Sequence, residues 1–120
     1  MFNVPTSLVR PMQGSSQIAI DDMIQLDDLH EGALLLNLYN RFQKDLVYTF
    51  IGNILVAVNP YKQLPIYDGE VVRQYSGQAL GSLPPHIFAI ANETYYTMLR
   101  TQRDQSVIIR YVASLKLASN

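Results

Sequence analysis

The residues with chemical potential in this chain fall into four sets, and three resolve into ordinary roles. Asp21, Asp22, Asp27 and Asp28 could in principle hold a cation. Acidic residues just ahead of a helix are explained more simply by the positive end of its dipole. His30 and His86 stand alone, with no second histidine beside them and no cysteine anywhere in the 120 residues. Tetrahedral metal sites need three or four such ligands, so the better role for each is a solvated or helix-starting histidine. Ser76, Ser82 and Ser106 have no base at motif spacing, so nucleophilic catalysis has no support and no catalytic residue is assigned. The fourth set is Asn59, Pro60, Tyr61 and Tyr67, in the loop NPYKQLPIYDG. An amide can hydrogen-bond a base edge or a hydroxyl, and tyrosine rings offer flat apolar walls. Spacing alone assigns these four to a strand-ending Asn-Pro turn with packing tyrosines.

The elements that would position that loop are readable from periodicity. Asp27 and Asp28 suit the cap of a helix beginning near Leu29. Leu35, Leu38, Tyr39 and Phe42 then fall on one face, with Leu34 and Leu36 widening the stripe. So apolar a helix expects to be covered. Residues 46–60, LVYTFIGNILVAVNP, are two runs of strand formers around Gly52-Asn53, the signature of a β-hairpin. The second run is apolar at nearly every position, as in strands buried on both faces. A short helix is expected near 69–76. A longer one is expected from His86 to Thr101 behind Pro84-Pro85, with Ile87, Ile90, Ala91, Thr94 and Met98 on one face. Gln105 to Ile109 reads as a short buried strand, and 110–118 can be helical.

Helices and strands mix, so the class is α/β. Three strands make a thin sheet for this much apolar surface, so they are expected to belong to a larger one. Residues 1–20, with Pro5, Pro11 and Gly14, read as a loose lead-in, and 21–120 as the structured unit.

Bulk properties narrow the setting. Hydrophobic residues are 48% of the chain, a globular level. Nine basic against ten acidic residues leave a formal charge of −1, which offers nothing to attract nucleic acid. The eight tyrosines also lack the basic background of a base-stacking surface. Without cysteine there is no disulfide scaffold. The apolar runs are far shorter than the ~20 residues of a membrane span, and the first residues lack the pattern of a secretion signal. The expectation is a soluble intracellular protein without direct membrane insertion.

Three blocks together resemble myosin motor domains: DDMIQLDDLHEGALLLNLYNRF at 21–42, VYTFIGNILVAVNPYKQLPIY at 47–67, and LPPHIFAIANETYYTML at 83–99 followed by QSVII. They occur in family order and spacing over residues 20–109, and look closer to unconventional than to muscle myosins. The resemblance implies a partial piece of a P-loop-type motor. Its hairpin and QSVII strand would join the central sheet, packed with three or four helices. It implies ATP as ligand with Mg²⁺ as cofactor, actin filaments as partner, and a cytoplasmic, cytoskeletal setting. Position by position, it places Asn59, Pro60, Tyr61 and Tyr67 on the adenine side of the nucleotide. Lys62 and Gln63 sit where some members carry two basic residues.

The resemblance breaks at Ile109-Arg110. The family continues there into G-x-x-x-x-G-K-[ST], whose backbone N–H groups, lysine and hydroxyl hold the phosphates and Mg²⁺. The six glycines here are at 14, 32, 52, 69, 77 and 81; no two are five apart and none precedes lysine. Arg110-Tyr111-Val112-Ala113-Ser114 instead resembles the end of the helix that follows that loop. The chain reads as though an internal block were removed, by exon skipping or a gene-model error. The expectation is a fragment inactive on its own; the alternative is a small non-catalytic protein-binding module.

Overall fold

The computed structural model describes residues 19–27 and 29–111. The order is a 3-10 turn Met23–Gln25, helix α1 Glu31–Phe42, strands β1 Tyr48–Ile51 and β2 Ile54–Ala57, helix α2 Gly69–Tyr75, and helix α3 Ile87–Thr101. Helices and a sheet in one unit match the α/β class expected.

The hairpin forms where the sequence places it. Strands β1 and β2 pair antiparallel, with Tyr48 opposite Ala57 and Ile51 opposite Ile54. Gly52 has φ 59° and Asn53 is not left-handed, the pattern of a turn with glycine at its first central position.

Alternation sends the hairpin's side chains to two cores. On one face, Ile51 and Val56 pack against Met23, Leu26 and Ala33. On the other, Phe50 and Leu55 pack with Tyr75 and Ala89 of α2 and α3. Both faces are therefore partly covered, but β2 is not a buried strand. It is an edge: none of its four residues is fully buried, and Ile54 is 65% exposed.

Helix α1 departs from its periodicity in two ways. It starts at Glu31 with His30 as cap, whose Nδ1 accepts from the Ala33 N–H at 3.2 Å; Asp28 lies outside the described residues. Its buried face is Ala33, Asn37 and Arg41, while Leu35 and Tyr39 are about 60% exposed. Polar groups win this face because each finds partners. The Asn37 amide accepts from Ile20 N–H at 2.8 Å and donates to Ile20 C=O at 3.1 Å. Arg41 donates to Thr49 Oγ1, to the Tyr48 carbonyl and to Asp21 Oδ1, at 2.9, 2.9 and 2.6 Å. The segment before α1 is thereby tied along β1, where Phe50 N–H also reaches the Asp21 carbonyl at 2.8 Å.

Helix α2 is capped by Asp68, and α3 by His86. The turn between them is closed by Asn92, which accepts from Gly77 N–H at 2.8 Å and donates to the Gln78 carbonyl at 2.7 Å. Helix α3 ends at Gln102 in the left-handed region, φ 53°.

The strand expected at Gln105–Ile109 does not form. Residues 104–111 are irregular and exposed, with Ile108 at 88% and Ile109 at 81%. A strand needs a partner ladder, and none lies beside this segment among the described residues. Of the helix expected over 110–118, residues 112–118 lie outside the described residues.

Candidate functional site

The loop that leaves β2 is shaped by its own residues. Asn59 folds into an Asx turn, its Oδ1 accepting from the Tyr61 N–H at 2.8 Å. That turn holds Tyr61 at φ 52°, unusual for an aromatic residue, with its ring 88% exposed. The Asn59 oxygen is thus spent on its own backbone rather than on a tyrosine hydroxyl. The turn does not use the Nδ2 donors. Lys62 pairs with Asp45 at 2.7 Å, an exposed bridge of little energetic weight.

Tyr67 lies in a second group. Its hydroxyl shares a 2.8 Å hydrogen bond with that of Tyr48. Around them, His86 lies 5.1 Å from Tyr48, 5.6 Å from Tyr67, 5.1 Å from Tyr75 and 4.5 Å from Phe88, ring to ring. Sequence reasoning singled out Tyr67 but not Tyr48, His86 or Phe88 as its neighbours. The signal for Tyr48 was present: it stands two residues from Phe50, so strand alternation puts both on the face that α2 and α3 cover. No hydrogen bond among the described residues joins this cluster to the Asn59–Tyr61 turn.

The cluster is dry enough to shift its titrating groups. Burial, and then the hydrogen bond and proximity of Tyr67, push the Tyr48 hydroxyl well above its ordinary 10.0. Burial, aided by the negative charge of Asp21, raises that of Tyr75, whose OH donates to the Pro84 carbonyl at 2.8 Å. Burial lowers the imidazole of His86, opposed by the nearby Ile66 backbone.

Whether these residues suit a nucleotide divides by its parts. Flat exposed rings and free amide donors suit a base. The phosphate end does not fit, because the sequence carries no G-x-x-x-x-G-K-[ST] loop. The described residues also hold no group of three or more acidic or histidine side chains placed for a metal. A cleft of about 560 Å³ opens between Asp21-Asp22, the hairpin turn and Leu80–Pro85; Asn59, Pro60, Tyr61 and Tyr67 do not line it.

A two-faced hairpin between a capped helix and an α2–α3 pair, followed by an aromatic loop, is a small α/β unit compatible with a partial piece of a motor domain. Residues 20–111 match the family described as Myosin head (motor domain), and the chain belongs to that family. It is 47% identical over 105 residues to myosin-VIIa of Drosophila melanogaster, covering 88% of this chain and 5% of that protein. Against unconventional myosin-VIIb of Mus musculus the identity is 50% over 103 residues, 86% of this chain and 5% of the relative. Against unconventional myosin-XV of Homo sapiens it is 47% over 107 residues, 89% and 3% respectively. The chain thus spans about a twentieth or less of the length of these relatives.

Proposed function

We propose that this chain represents an early segment of an ATP-driven, actin-based motor, in which the hairpin and its loop form the adenine-side wall of the nucleotide site. The match over residues 20–111 carries this reading. In it, Tyr61 and Tyr67 flank the base, the Asn59 amide donors meet its edge, and Pro60 sets the turn. When bound, the nucleotide would bring the phosphoryl chemistry, with Mg²⁺ stabilising its charge. Actin filaments are the partner and the cytoskeleton the setting.

On its own, this chain lacks the phosphate cradle and does not hydrolyse ATP. Base contacts without phosphate contacts bind weakly, so a fluorescent ATP analogue titrated against the chain should not saturate below the millimolar range. Saturation at micromolar concentration would overturn the inactive reading. Sequencing the transcript across codons 105–115 tests its origin: a glycine-rich loop found there would restore an intact motor.

A second reading, a non-catalytic protein-binding module, draws on the exposed Leu35, Tyr39, Tyr95, Leu99 and Ile108. Sedimentation with thermal unfolding separates the two. A cooperative monomer supports a module, and aggregation supports a fragment.

A further inference from the structure

We propose that His86 is an acid-sensitive latch, whose protonation releases the first turn of α3 from the hairpin and opens the tyrosine cluster around it. The geometry fixes which ring nitrogen carries the proton. Nδ1 accepts from the Phe88 N–H at 3.0 Å and so caps α3. A nitrogen that accepts carries no proton, so the neutral ring bears its hydrogen on Nε2. That Nε2 is buried and has no hydrogen-bond partner.

A second proton can enter only at Nδ1. It abolishes the cap and sets two like partial charges face to face, because the helix N-terminus is itself positive. The new cation would sit in a residue only 5% exposed. The titratable side chains against it are the phenols of Tyr48 from β1, Tyr67 from the loop and Tyr75 from α2, with Asp21 reaching only Tyr75. The phenol of Tyr48 is committed to Tyr67, and that of Tyr75 to the Pro84 carbonyl. No carboxylate hydrogen-bonds the ring among the described residues; the Ile66 backbone favours the charged ring, and burial outweighs it. Charging is therefore easier once the ring leaves the cluster.

The downward shift of the imidazole agrees in direction. Because the closed state binds the proton less readily than the open one, closure is complete above the ordinary value of 6.5. It is lost as pH falls through the lower, closed-state value. The latch needs no nucleotide and stands apart from the function proposed above.

The test is an NMR titration of the histidine ring protons of the full chain, read beside its near-ultraviolet tyrosine circular dichroism. The chain has two histidines, and His86→Asn assigns the signals; asparagine also keeps an N-cap acceptor that does not titrate. The expected result is a His86 midpoint below that of the same chain in denaturant, with the tyrosine signal lost in step with it. In His86→Asn that acid step should disappear. The proposal is overturned by a His86 midpoint equal to the denatured value, as an unfolded chain would give. A tyrosine signal unchanged through the wild-type His86 titration overturns it equally, and that measurement does not depend on the variant folding.

Discussion

At the scale of single residues, Arg41 carries more of this fold than any apolar side chain of α1. It links α1, β1 and the leading segment through three acceptors, and its own side chain is 3% exposed while that of Asp21 is 58% exposed. Arg41→Met should therefore cost about 2–3 kcal/mol, mainly from Thr49 and the Tyr48 carbonyl left without a donor. Asp21 can return to water and adds less. Urea unfolding at neutral pH measures this, and a loss below about 0.5 kcal/mol, the level of an ordinary surface site, would show the staple to be incidental. Lysine at this position should not rescue, since one ammonium cannot match a planar fork with three partners. The tyrosines set an alkaline limit. Tyr48 and Tyr75 hold their protons more tightly folded than unfolded, so their contribution is complete below their ordinary value of 10.0 and fades as pH rises through the raised ones. Tyrosinate absorbance should show two late-titrating phenols, rising with the unfolding transition.

At the scale of elements, two turns decide the geometry. Gly52 sits at φ 59° with only an Ile24 methyl, 3.9 Å away, near its missing Cβ, so backbone strain rather than crowding opposes a side chain there. Gly52→Val should cost about 1–2 kcal/mol and loosen the hairpin, seen as faster amide exchange across β1 and β2. Asn92 closes the α2–α3 turn through two hydrogen bonds, and Asn92→Ala should cost about 1–2 kcal/mol by leaving Gly77 N–H and the Gln78 carbonyl dependent on water. The hairpin, its turn and the α3 boundaries were legible because glycine, proline and alternation act over a few residues. The face of α1 was not. Its leucines outnumber its buried polar residues, and only the positions of Ile20, Asp21 and Thr49 across the fold make Asn37 and Arg41 the better ones to bury.

At the scale of the whole molecule, apolar surface is left without cover. Val107, Ile108 and Ile109 are exposed and outside regular structure, and β2 offers an edge unpaired among the described residues. Such a pairing-competent segment beside a free edge favours association. Replacing Ile108 and Ile109 with lysine should shift the sedimentation profile of the chain toward monomer, while its helical circular dichroism stays unchanged. An unchanged profile would place the association elsewhere, on the exposed side of α1 or α3.

By itself the sequence determined the α/β class, the hairpin and its turn, the capped helix α3, and the missing phosphate loop, because each follows from local stereochemistry or a motif. Only the tertiary structure decided that Tyr67 joins Tyr48 and His86, and that QSVII stays unpaired among the described residues. Those outcomes depend on which groups meet across the fold. A hydrogen bond or a strand ladder needs a partner in place, and a partner distant in sequence leaves no local trace.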